Sequence, residues 1–153
     1  MKTPHQVVFV VAMLITFCNS VLAQSESTNP ERELLHAVNQ ERRTRGLPLL
    51  KSDEALANAA RKHAELMAQQ GTVAHQLRDE PSLPVRARAA GAHFTWLSEN
   101  VDEGPNAAAI HQSFMKSPQH RANLLDTDMD SAGIGVAERK GELFVVEDFS
   151  KAK

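Results

Sequence analysis

The stretch SPQHRANLL at Ser117–Leu125 gives one histidine an unusually well-defined setting. A serine followed by proline is an N-cap followed by the first helical position, which places His120 at the third position with its backbone N–H facing the Ser117 hydroxyl. The positive end of the helix dipole disfavours a protonated ring there. A neutral imidazole near pH 7 suits a metal ligand or a general base, and the position alone assigns neither role. His75 stands among turn formers and charges between Thr72 and Pro84, a stretch that reads as a long ordered loop of the kind that carries function. Glu99 opens a Glu99-Asn100 pair at the end of an apolar run. His63 falls on the apolar face of a helix, where a histidine is more often a hydrogen-bonded core residue than a ligand, and it is read as structural.

Local spacing supplies no complete site. There is no HExxH pair, so a metal site has to be assembled from distant segments, and no G-x-S-x-G elbow marks a nucleophilic serine. Gly133-Ile134-Gly135 lies inside a strand pattern with no helix after it, which excludes a phosphate loop. Cys18 is the single cysteine. It falls before the expected cleavage point, so the mature chain is expected to carry neither a disulfide nor a thiol nucleophile.

The elements that must position these groups follow from the apolar pattern. Leu34, Leu35 and Val38, with Pro30 at the first turn and Gly46 at the end, describe a helix; Leu47, Leu49 and Leu50 then dock the connection on the core. A second helix is expected over residues 53–70, with Ser52 as N-cap, Asp53 and Glu54 at the positive end of the dipole and Gly71 as the stop. Its apolar face is Leu56, Ala59, Ala60, Leu66 and Met67. A short helix spans about Pro84 to Ala90, a strand runs from Phe94 to Val101, and Asn106 caps a helix that ends near Lys116. Residues 132–137 and 143–149 form an antiparallel hairpin around Arg139-Lys140-Gly141.

Residues 1–23 have one lysine, an apolar run from Val7 to Phe17 and a small-residue end at Val21-Leu22-Ala23, the pattern of a secretory signal peptide cut after Ala23. That run is too short for a membrane-spanning helix of about 20 residues. Residues 24–29 are a polar, flexible lead-in, and residues 30–153 suit a single domain with one core. The product is expected to be secreted or periplasmic, with no transmembrane segment. The chain has 17 basic and 19 acidic side chains, a net charge of −2, which speaks against a nucleic-acid partner. Arg42, Arg43 and Arg45 form its one basic cluster, read as a solvated helix face.

Several segments in order resemble the CAP superfamily, named for cysteine-rich secretory proteins, antigen five and pathogenesis-related proteins, in its short bacterial form. They are LLHAVNQERRTRGLPLL at 34–50, ALANAARKHAELMAQQG at 55–71 with His75 after it, LSENV at 97–101, FMKSPQHRANLL at 114–125 and AGIGVA at 132–137. The resemblance implies an α+β fold, a three-layer α-β-α sandwich with a central antiparallel sheet and a cleft on one side. It also implies that the cleft histidines are His75 and His120, that Glu99 is one cleft acid, and that the three can hold a divalent metal, zinc above others. The second family acid falls on Ser117 and the family's helix tryptophan on Phe114, so this chain departs from the four-ligand pattern.

The resemblance does not fix a reaction. The leading expectation is an exported binding or accessory domain with a metal-capable cleft and a lipid or cell-envelope ligand. The alternatives are a metal-dependent hydrolase, with Glu99 or His120 as the candidate catalytic group, and a cleft network of His75, Glu99 and His120 that only stiffens the fold.

Overall fold

A computed structural model describes residues 29–152. The expected signal peptide, Cys18 and residues 24–28 of the lead-in lie outside the described residues. The first helix, α1 (Pro30–Thr44), begins where the Asn29 side chain accepts the Glu31 N–H at 2.9 Å. It is followed by a two-residue strand, β1 (Lys51–Ser52), and by α2 (Glu54–Gln70). Asp53, not Ser52, caps α2, accepting the Leu56 N–H at 3.1 Å, because Ser52 is already committed to β1. Gly71 ends α2 in the left-handed conformation that glycine adopts without strain (φ 64°).

The chain continues through α3 (Leu83–Ala89), β2 (Phe94–Gly104), α4 (Ala107–Lys116), α5 (Pro118–Leu125), β3 (Ser131–Arg139) and β4 (Glu142–Ala152). The sheet order is β1-β3-β4-β2. The three long strands are antiparallel, as expected, and β1 adds a short parallel pair at one edge. The hairpin turns at Lys140 and Gly141, both with positive φ (53° and 85°), the signature of a two-residue turn that matches strand twist.

Side chains of β4 alternate between two apolar layers. Val145 and Phe149 pack with Leu34, Val38, Ile110, Phe114 and Leu124 under α1, α4 and α5, while Phe144 and Val146 pack with Ala60, Ala64 and Met67 of α2. The sheet therefore lies between helical layers, and the sandwich expected from the sequence is the fold observed. Gly133 and Gly135 have a packing reason. A Cβ on Gly133 would lie 2.2 Å from the Ala57 nitrogen and one on Gly135 2.1 Å from the Arg61 nitrogen, so only glycine lets α2 rest on β3.

Two expectations need correction. Arg42 is not on a solvated face: it is fully buried, and its guanidinium donates to the carbonyls of Pro48, Leu124, Asp126 and Met129 at 2.7 to 3.1 Å. Arg43 and Arg45 are exposed, as read. Leu34, Val38 and Arg42 are spaced four residues apart on one stripe, so position on the helix outweighs charge once four carbonyls are there to accept. Leu49 is 43% exposed and does not dock on the core, whereas Leu50 does.

Candidate functional site

Strand β2 pairs only with β4 and forms one edge of the sheet. Consecutive β2 residues point to opposite layers, so Glu99 and Asn100 serve two different sets of partners.

On the α2 and α3 side, His75 Nδ1 lies 2.9 Å from Glu99 Oε1. A carboxylate can only accept, so Nδ1 carries the proton and Nε2 is the nitrogen left for other partners. Arg86 of α3 forms an ion pair with Glu99 Oε2, and its Nη1 donates to the His75 carbonyl at 3.1 Å. The Glu99 and Arg86 side chains are 4% and 8% exposed, whereas that of His75 is 62% exposed. The hydrogen bond that His75 donates to Glu99 raises the pKa of His75 and outweighs burial and the Arg86 charge, which oppose it.

On the α4 and α5 side, the N-cap expected from the sequence is present, with the Ser117 hydroxyl accepting the His120 N–H at 3.5 Å, the long end of hydrogen-bond range. The His120 ring meets Phe114 edge-on, with centroids 5.1 Å apart at 79°, and its buried Nδ1 has no polar partner. Burial lowers the pKa of His120; the Asp102 carboxylate opposes this and the charge of His75 adds to it.

Asn100 and Asn123 tie the sides together. Asn100 Nδ2 donates to the His120 carbonyl at 3.2 Å and lies 3.3 Å from Glu147 Oε2. Asn123 Nδ2 donates to the Glu99 carbonyl at 3.2 Å and to Asn100 Oδ1 at 2.9 Å. Below them β4 carries two buried acids. Burial pushes Glu147 up to about 8, and Asp148, opposite Glu99 in register, is held well above the usual carboxylate range by burial and by the Glu99 charge. Both are buried because β4 has neighbours on both edges and helices on both faces.

The structure thus brings His75 and Glu99 into direct contact and sets His120 on the other side of the same strand. Both oxygens of Glu99 are engaged, by His75 and by Arg86, and among the described residues no group of three His, Cys, Asp or Glu side chains is placed to share one ion. His63 is buried and hydrogen-bonded on both ring nitrogens, the core role read from its position. Arg86, Asn123 and the acids of β4 were not singled out in the sequence. Arg86 lies in a short helix whose neighbours give no periodic signal, and Glu147-Asp148 sits in an otherwise apolar run.

The molecule is a sheet between helical layers, with a histidine on each side of an edge strand whose glutamate is charge-paired from beneath. Residues 35–149 match the model of the cysteine-rich secretory protein family, CAP, and the chain belongs to that family. It is 26% identical over 117 residues to the uncharacterized protein YkwD of Bacillus subtilis, a match covering 76% of this chain and 46% of that protein. The chain thus spans under half of this curated relative. Among solved structures it is similar to an extracellular protein containing an SCP domain from Bacillus anthracis (TM-score 0.74, 24% identity, 80% of this chain and 40% of that one). It is equally close in fold to an outer surface protein of Borrelia burgdorferi (TM-score 0.74, 22% identity, 81% and 93%). At these identities the structural likeness carries the fold. Among the described residues no helix is long and apolar enough to cross a membrane.

Proposed function

We propose that this protein is an exported CAP-domain binding module, and that its cleft recognises a cell-envelope component through the imidazoles of His75 and His120. The carrying observation is that Glu99 is buried with both oxygens occupied. A carboxylate so engaged orients His75 and fixes its tautomer; a general base needs a free oxygen facing the substrate. The histidines then present opposite characters to a ligand. His75, with its pKa raised, favours a cationic donor, and His120, with its pKa lowered, a neutral ring. Export is supported by the leader-like first 23 residues and by the extracellular and surface settings named for the similar structures.

Native mass spectrometry of untagged protein recovered from an exporting host tests this. A retained organic molecule that is lost in the His75→Ala/His120→Ala double variant is the expected result. Chelator-sensitive hydrolysis of ester or peptide substrates that disappears in Glu99→Gln would replace this reading with the hydrolase. Calorimetric titration with zinc ions addresses the metal: binding that needs Glu99 as well as both histidines would mean that Arg86 releases the carboxylate and the three-ligand set forms. Retention of no molecule together with no zinc binding would leave the network as structural reinforcement.

A further inference from the structure

The buried histidine of α2 does more than fill the core. His63 is fully buried, with Nε2 2.8 Å from the Ala74 carbonyl and Nδ1 2.8 Å from Glu80 Oε1. The other oxygen of Glu80 accepts the Leu77 N–H at 3.1 Å, and the Glu80 side chain is 6% exposed. A carbonyl oxygen can only accept, so Nε2 must carry a proton. Nδ1 faces a carboxyl oxygen at the same distance, and that contact also needs a proton between the two atoms. Without it, two lone pairs would face each other at 2.8 Å in a site closed to water. The pair therefore holds two protons in total, whether the second resides on nitrogen or on oxygen.

These bonds grip one short stretch of chain. His63 holds Ala74, Glu80 holds Leu77, and between them stands His75, whose own carbonyl is taken by Arg86. We propose that His63 and Glu80 are positioning residues for the cleft, a two-proton clamp that fixes the loop bearing His75. The proposal rests on the reading of His75 as a cleft residue. The charged groups around the clamp are Lys62 of α2 and Arg86 of α3, which line a cavity of about 480 Å³ together with Glu80, and Asp148 of β4, whose electrostatic neighbours include Glu80.

Two substitutions in the full chain separate a proton clamp from mere packing. In Glu80→Gln, the amide nitrogen can donate to His63 Nδ1 while the amide oxygen accepts from Leu77, so both bonds survive. In His63→Gln, one amide cannot donate to both acceptors in the same geometry. Hydrogen-exchange protection of the Leu77 amide and the ring resonances of His75 are compared across the proteins at one fixed pH. Loss of the clamp is expected to lower Leu77 protection by about tenfold or more, the scale of one lost charge-assisted hydrogen bond. Glu80→Gln should keep the wild-type protection, and His63→Gln should lose it, with the His75 resonances broadened. Loss of Leu77 protection in Glu80→Gln would overturn the clamp, as would unchanged Leu77 protection in His63→Gln. Should His63→Gln fail to fold, the comparison of wild type with Glu80→Gln decides alone. None of these readouts needs a ligand, so the clamp can stand where the binding module fails, and the reverse.

Discussion

The two sides of strand β2 hold their histidines in opposite ways. On the α3 side the histidine is held by charged and hydrogen-bonded contacts, Arg86 to Glu99, Glu99 to His75, and Arg86 again to the His75 backbone, although Arg86 Nε has no partner of its own. On the α5 side His120 is held by an apolar edge contact and a long N-cap bond, with Nδ1 left unpaired. The same division runs through the adjacent acids of β4. Asp148 shares its layer with Glu99 and Arg86, whereas Glu147 meets only Asn100. One edge strand thus separates an electrostatically organised side from a sterically organised one, and the histidine protonation biases diverge for that reason.

Removing Arg86 should break this contrast most severely. Arg86→Ala leaves the buried Glu99 carboxylate without its counter-charge, a loss expected to cost about 3–5 kcal/mol in denaturant unfolding. A change near zero would mean that Glu99 takes up a proton freely and that this side is not charge-organised.

Glu147→Gln probes the other side. The folded value of about 8 lies above the ordinary 4.5, so between these pH values the folded protein holds a proton that the unfolded chain has released. That proton costs stability as pH rises from 4.5, and the loss is complete above about 8. The glutamine variant should show a flatter stability profile over that window and should exceed the wild type at its alkaline end. Parallel profiles would place an unseen partner on Glu147.

The histidines themselves sharpen the comparison by NMR titration. His75 should titrate above the ordinary 6.5 and His120 below it. Glu99→Gln should bring His75 back toward about 6.5 while moving His120 little. For the linkage, the contribution of His75 is fully present below 6.5 and is lost as pH rises through its raised folded value. His120 behaves oppositely, costing stability as pH falls below 6.5 through its lowered value.

The smallest effect belongs to the cap. At 3.5 Å the Ser117 bond to His120 is long, so Ser117→Ala should cost about 0.5 kcal/mol, the low end for an N-cap, with the His120 titration unchanged. A larger loss would show that the cap, not Phe114, holds the histidine.

Some of this was legible in the chain alone. Helix ends were, because proline, glycine and capping residues act within one turn of where they stand: Pro118 after Ser117, Gly71 after α2, and the Lys140-Gly141 turn. The near miss at Ser52 shows the margin, since Asp53 caps equally well and β1 claimed the serine. The core role of His63 followed from helical spacing, and the ordered segments that resemble the CAP family named the fold and the three cleft residues.

Partnership was not legible. That Glu99 faces Arg86, that Arg42 is buried under four carbonyls, and that Glu147 and Asp148 stand back to back inside the sheet all depend on which segments meet across gaps of 13 to 87 residues. Sequence determines what each residue can donate, accept or bury, and the local chain geometry that presents it. The cost of burying a charge, and the pKa that results, depends on the groups brought around it, and those were decided only when strand β2 took its place at the edge of the sheet between Arg86 and α5.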